Sequence, residues 1–221
     1  MRDTILFDMD MTLINSRPAL RVAAQHYFDQ RGVQVDAIHT DYSHLYGMHE
    51  SEFFKYLCQL GGCEYDPSIS KWIFEEYTRV APDHVRAFEG AEELLRQLRK
   101  EGFTLVLGTS TVRSKARANF SASGLSIEEL FDGFVCGEDV TQAKPSPEIF
   151  LLCAQKVGVE PHRCIVVEDA LAGVRAAKAA GMPCVCVEYS LPAQRLLAEG
   201  ADRVVPTLWE VRKAIDELKE Q

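Results

Sequence analysis

The chain has 221 residues, and 24 basic against 33 acidic side chains give it a formal net charge of −9. Its 47% apolar and 26% charged residues are ordinary globular composition, which excludes collagen-like, low-complexity and mainly disordered chains. The acidic balance argues against nucleic acid or an anionic membrane as the main partner, since both require clustered positive charge.

In chain order, the first element is a short apolar strand, Thr4-Ile5-Leu6-Phe7, which stops abruptly in Asp8-Met9-Asp10. No basic region leads into a long apolar stretch before it, and no apolar run approaches the roughly 18 residues of a membrane span. A cytoplasmic protein is expected. From about residue 16 to 85 the apolar positions are spaced as helix faces: Ala19, Leu20, Val22, Ala23 and Tyr27, then Phe53, Phe54, Tyr56 and Leu57, then Trp72, Ile73, Phe74 and Tyr77. Gly61-Gly62 and Pro67 punctuate this stretch as turns. It reads as a small all-helical domain (16–85) inserted into a discontinuous core (1–15 and 86–221).

Beyond residue 86, strand-like runs at 104–107, 133–136, 164–167, 183–187 and 203–205 alternate with helical patterns. The latter lie near 91–101, 112–123, 147–157, 170–180 and 207–219. This alternation predicts an α/β fold with a doubly wound, Rossmann-like parallel sheet. Gly102 and Gly181 fall where helix C-termini favour glycine. The seven cysteines, Cys58, Cys63, Cys136, Cys153, Cys164, Cys184 and Cys186, have no zinc-finger spacing and mostly lie in apolar runs. They read as buried, reduced thiols. Cys184 and Cys186 fit strand alternation better than a ligand pair.

In an open α/β sheet, ligands bind outside the carboxyl ends of the strands. Four strand ends here carry polar residues: Asp8, Asp10 and Thr12; Thr109 and Ser110; the loop to Lys144-Pro145; and Glu168-Asp169. Singly, each has a plain structural explanation. Asp169 would cap the helix that follows, Thr109 would satisfy loop backbone, and Lys144 would be a solvated charge. Jointly these explanations fail, because four carboxylates on one sheet edge repel one another without a cation. An all-oxygen set suits Mg²⁺ better than zinc or copper.

The segments F-D-M-D-M-T-L, L-G-T-S, A-K-P-S-P-E-I-F and V-V-E-D-A-L-A-G resemble, in order, the four motifs of haloacid dehalogenase superfamily hydrolases. The resemblance spans the whole chain. It is nearest to the phosphoglycolate phosphatase and β-phosphoglucomutase branch, whose helical cap is inserted at this point. It implies a Mg²⁺-dependent phosphatase acting on a small phosphorylated metabolite, with a sugar phosphomutase as the alternative. Asp8 would be the nucleophile, and Asp10 the general acid and then base, its backbone carbonyl also reaching the metal. Thr109, Ser110 and Lys144 would bind the phosphoryl group. Asp169 would ligate Mg²⁺ alongside Asp8, with Glu168 a direct or water-mediated ligand. The cap would hinge near Ser16 and Phe88.

Three features depart from the branch pattern, the mildest being Ala170 in place of a common serine after the acidic pair. Met11 stands where glycine is usual, with a side chain expected to crowd the turn that lets the cap close. Tyr46-Gly47-Met48-His49-Glu50, in the place of the cap's substrate loop, lacks the arginine of phosphohexose mutases, which favours the phosphatase. His49 is a candidate specificity residue there, beside the plainer reading of an exposed helix start. Two readings from other classes are weaker. A two-component receiver domain places its acidic pair before its phosphorylated aspartate, whereas here Glu168-Asp169 follows Lys144. A catalytically idle binding protein would not keep every chemical position filled. Oligomeric state is not legible. At the site, four carboxylates against Lys144 and one Mg²⁺ leave about one negative charge, so binding an anion is expected to depend on the metal.

Overall fold

The computed structural model describes residues 2–42 and 50–219, Glu50 by its backbone alone. The first strand, β1 (Thr4–Phe7), leads through a tight turn into β2 (Ile14–Asn15). Three helices follow, α1 (Arg17–Asp29), α2 (Glu50–Leu60) and α3 (Ile69–His84), and β3 (Arg86–Ala87) returns the chain. The remainder alternates: α4 (Ala91–Lys100), β4 (Thr104–Gly108), α5 (Arg113–Ala122), α6 (Ile127–Leu130), β5 (Gly133–Val135) and α7 (Glu148–Lys156). It ends with β6 (Cys164–Glu168), α8 (Leu171–Ala179), β7 (Cys184–Val187), α9 (Ala193–Glu199), β8 (Arg203–Val205) and α10 (Leu208–Lys219).

Six strands form one parallel sheet in the order β5-β4-β1-β6-β7-β8. The α/β sheet predicted from the alternation is therefore present. Its central strands are apolar on both faces, as a sheet covered on both sides requires. Ile5, Phe7, Leu105, Leu107, Ile165 and Val167 point to the layer containing α4, α5 and α10. Leu6, Val106 and Val166 point to the layer containing α7, α8 and α9. Cys184 and Cys186 share that second face of β7 with their sulfurs 3.7 Å apart, and all seven cysteines are free thiols. Gly102 and Gly181 have φ of +86° and +72°, the left-handed geometry expected just beyond α4 and α8.

None of α1, α2 or α3 joins the sheet. Their buried faces continue the apolar cluster of the α4/α5/α10 side. The two connections to them are tied together by the antiparallel β2–β3 pair, Ile14 opposite Ala87 and Asn15 opposite Arg86, and by Phe88 N–H donating to the Leu13 carbonyl at 2.9 Å. Two-residue strands carry no periodic signal, which is why this ladder was not foreseen. The same holds for α6, which has only 4 residues. Among the described residues, no helix is long and apolar enough to cross a membrane.

Candidate active site

Sheet register assembles the site. Phe7 is level with Leu107 on β4 and Val167 on β6, so Asp8, Gly108 and Glu168 arrive at one edge together. Asp8 N–H donates to the Val167 carbonyl at 3.0 Å, and Thr109 N–H to that of Val135 at 3.1 Å. The backbone thus fixes each strand end before any side-chain chemistry is considered.

Lys144 enters from the loop before α7. Its ammonium donates to Asp8 Oδ1 at 2.5 Å, Glu168 Oε1 at 2.8 Å and the Gly108 carbonyl at 3.3 Å. Glu168 Oε2 accepts the backbone N–H groups of Asp169 at 2.8 Å and Ala170 at 2.9 Å, and so satisfies amides at the start of α8. The N-cap of α8 is Ala170, without a side-chain bond, so the capping explanation of Asp169 does not hold. Gly173 is required here for space: a Cβ would lie 1.8 Å from Glu168 Oε1.

Asp169 accepts the Thr12 hydroxyl at 3.4 Å and a short hydrogen bond from the Ser190 hydroxyl. Ser190 in turn accepts from Arg17 at 2.7 Å. Asp8, Glu168 and Asp169 are all buried, and one carboxylate oxygen from each lies within 4.8 Å of the others. Burial pushes the Asp8 carboxyl well above its ordinary range, and Glu168 and Asp169 add to this against the opposing pull of Lys144. Burial, then the Glu168 charge, raises Asp169 to about 7 despite Ser190, Arg17 and Lys144. Burial works against the Lys144 charge, but Asp8 and Glu168 hold its proton more tightly than usual. One ammonium cannot neutralise three buried carboxylates. A divalent cation with oxygen ligands fits this donor set, as it supplies the missing charge.

Asp10 faces elsewhere. Its carboxylate accepts the Ser16 and Thr111 hydroxyls, each at 2.6 Å, and the Asn119 amide at 3.4 Å. Ser16 is the N-cap residue of α1, yet its side chain makes no capping bond. From Met9 to Ile14 the chain turns tightly: the Met9 carbonyl accepts N–H groups from Thr12, Leu13 and Ile14, and Met11 N–H donates to the Ile14 carbonyl at 2.8 Å. Met11 fits this turn by adopting a φ of +66°, the left-handed region natural to glycine.

Thr109 is buried and its hydroxyl accepts the Thr111 N–H at 3.1 Å, while Ser110 is exposed at the rim. His49 and its neighbours 43–48 lie outside the described residues. The sequence reasoning overlooked Ser16 as an Asp10 partner, and also Thr111, Asn119, Ser190 and Arg17. Two of these carried a readable signal. Ser190 follows the end of β7 as Asp8 follows β1, and Asn119 interrupts the buried α5 face of Ala116 and Phe120.

A family model described as haloacid dehalogenase-like hydrolase matches residues 5–187. The chain belongs to that family and is an enzyme of the hydrolase class. Hexitol phosphatase A of Escherichia coli (strain K12) is 31% identical over 206 residues, covering 93% of this chain and 91% of that protein. Protein SUPPRESSOR OF QUENCHING 1, chloroplastic, of Arabidopsis thaliana is 36% identical over 193 residues, 85% of this chain but 18% of its own length. The crystal structure of CbbY from Rhodobacter sphaeroides in complex with phosphate superposes with a TM-score of 0.78 at 27% identity, covering 96% of both chains.

Proposed function

We propose that this protein is a Mg²⁺-dependent phosphatase that hydrolyses a small phosphate monoester, of the phosphorylated sugar or sugar-alcohol class, through a phosphoaspartate on Asp8. The observation that carries this reading is the buried contact of Lys144 with both Asp8 and Glu168 beside Asp169. A carboxylate is a competent nucleophile at neutral pH without a base, provided its charge is maintained and its target aligned. Asp8, Asp169, Glu168 and the Asp10 backbone carbonyl would hold Mg²⁺, which supplies charge for the phosphoryl oxygens and keeps Asp8 ionised.

Asp8 Oδ attacks phosphorus, and the ester P–O bond breaks as the new one forms. Asp10, protonated, gives its proton to the leaving alkoxide. The alcohol departs. Asp10, now a carboxylate, takes a proton from a water that attacks the phosphoaspartate at phosphorus, freeing Asp8 and inorganic phosphate. Thr109 and Ser110 bind the transferring oxygens, and Lys144 balances their charge with that of Asp8. Residues 16–85 act as a cap that opens on the paired β2 and β3 linkers and closes to exclude water. The helical insertion, rather than the core, sets substrate choice, and His49 is assigned a place in it.

The test is phosphate release from a panel of hexose, hexitol, glycerol and glycolate phosphates, with Mg²⁺ or with chelator. Mg²⁺-dependent release that Asp8→Asn abolishes is expected. Isomer formation requiring a bisphosphate, without net release of phosphate, would show a mutase instead.

A further inference from the structure

We propose that Tyr77 and Asn119 are positioning residues for Asp10, forming a buried hydrogen-bonded line from α3 through α5 to that carboxylate. The proposal rests on the reading of Asp10 as general acid and base and adds two residues to it.

Asn119 is 0% and Tyr77 1% exposed. Each is a polar group on an otherwise apolar helix face: Asn119 beside Ala116 and Phe120 on α5, Tyr77 between Ile73, Val80 and Ala81 on α3. Leucine and phenylalanine would fill the same space without the risk of an unsatisfied buried polar atom. Their hydrogen bonds meet that risk. Tyr77 Oη donates to Asn119 Oδ1 at 2.7 Å, and Asn119 Nδ2 donates to Asp10 Oδ1 at 3.4 Å.

The direction of the line follows from chemistry. An ionised Asp10 only accepts, so Asn119 must turn its NH₂ towards it, which leaves its carbonyl for the phenol proton. Ser16 and Thr111 also donate to the same carboxylate, from the first linker and from the loop before α5. Asp10 is thus held by donors from three places; through Asn119 and Tyr77 it is tied to α3, as it is through Ser16 to the start of α1. Lys115 Nζ, 4.2 Å from the Tyr77 ring centroid, braces the phenol from α5. A shift of α3 against α5 breaks the Tyr77–Asn119 bond and is felt at Asp10, so the placement of the proton donor depends on where α3 sits.

Loss of positioning has a signature that loss of packing lacks. 4-Nitrophenolate leaves with little acid help, whereas the alkoxide of β-glycerophosphate needs the proton. Hydrolysis of the shared phosphoaspartate also uses Asp10 and enters kcat for both esters, so the split is read in kcat/KM, which reports the first transfer. Tyr77→Phe and Asn119→Leu should each lower it by about 10-fold or more for β-glycerophosphate and by less than about 3-fold for 4-nitrophenyl phosphate. The double variant should lose no more than the worse single one, because both act through one line. The positive control is Asp10→Asn, which should show the same split more strongly. If Asp10→Asn shows the split but Tyr77→Phe and Asn119→Leu slow both esters equally, or neither, the positioning role is wrong and the acid–base reading stands. If Asp10→Asn shows no split, both fall together. Should Asn119→Leu fail to fold, Tyr77→Phe, which removes a single oxygen, decides the matter alone.

Discussion

Lys144 contacts Asp8 and Glu168 at 2.5 and 2.8 Å, and its own side chain is 7% exposed. Removing one partner of such a cluster leaves the others buried and uncompensated, which costs about 3–5 kcal/mol in comparable cases. Lys144→Met should therefore lower stability in chelator and reduce phosphate release by about 100-fold or more. Mg²⁺ should recover much of the stability and little of the activity, since the metal replaces charge but not the ammonium's hydrogen bonds. Thermal unfolding with and without Mg²⁺, beside the steady-state rate, checks both halves.

Ser190 provides a second test of the acidic cluster. Mg²⁺ at about 100 times its Kd should stabilise the fold by about 2.7 kcal/mol, a Tm increase of roughly 5–10 °C for a chain of this size. Asp169→Asn should abolish the shift. Ser190→Ala removes the hydroxyl that orients Asp169 and should weaken Mg²⁺ binding about 10–100-fold without removing a ligand. Because Asp169 sits at about 7 without metal, protons compete with Mg²⁺ below that pH. The Tm increase should be larger at pH 8 than at pH 6. Titrations of Tm against Mg²⁺ at the two pH values give the answer.

Among the inserted helices, Glu76 joins α3 to α1. It accepts Arg79 Nε at 2.9 Å and lies 2.5 Å from His26 Nδ1. The Arg79 hydrogen bond, then that of His26, holds the Glu76 carboxyl down to about 2 from 4.5. The folded state therefore binds this proton less readily than the unfolded one. Its stabilising effect is present above about pH 4.5 and is lost as the pH falls towards 2. Glu76→Gln should lower Tm at pH 6 and make little difference near pH 2.5, narrowing the gap to the parent protein as acid is added.

Gly173 makes a prediction against helix propensity. Alanine within a helix is normally better than glycine by about 1 kcal/mol. Here the added Cβ would fall 1.8 Å from Glu168 Oε1, an oxygen already bound to Lys144. Gly173→Ala should thus lower Tm rather than raise it, and reduce phosphate release by about 10-fold or more, because Glu168 must leave both Lys144 and the α8 amides. Circular dichroism should show the helix content unchanged.

The core was legible because its signals are long or stereotyped. Repeated strand-then-helix runs specify the parallel sheet, and polar residues just beyond strand ends mark the ligand edge whatever packs elsewhere. Asp8, Thr109, Lys144, Glu168 and Asp169 all announced themselves in this way. Thr111 did not, and Asn119 and Ser190 stood out only as polar residues, their roles hidden because the partners of Asn119, Thr111 and Ser190 are 109, 101 and 21 residues distant in the chain. Hydrogen bonds between side chains so far apart have no sequence period. The β2–β3 ladder was too short to read, and Ser16 marked only the neighbourhood of a hinge, with nothing in the sequence to turn its hydroxyl to Asp10.

Met11 was expected to crowd its turn, and instead it takes the turn's left-handed conformation with its side chain only 9% exposed. Two opposing terms decide what replacing it does. The left-handed backbone costs a non-glycine residue about 1–2 kcal/mol, which glycine would recover. Burying a methionine side chain contributes about 1.5–3 kcal/mol, which glycine would forfeit. The second is larger, so Met11→Gly should be less stable than the parent by about 1 kcal/mol. Met11→Ala loses most of the burial and keeps the strain. At a positive φ the alanine penalty exceeds the roughly 0.4–1 kcal/mol that its stiffer unfolded chain returns. The expected Tm order is Met11, then Met11→Gly, then Met11→Ala, with alanine below glycine in reverse of their order in helices. An alanine variant as stable as the glycine one would mean that residue 11 carries no backbone strain.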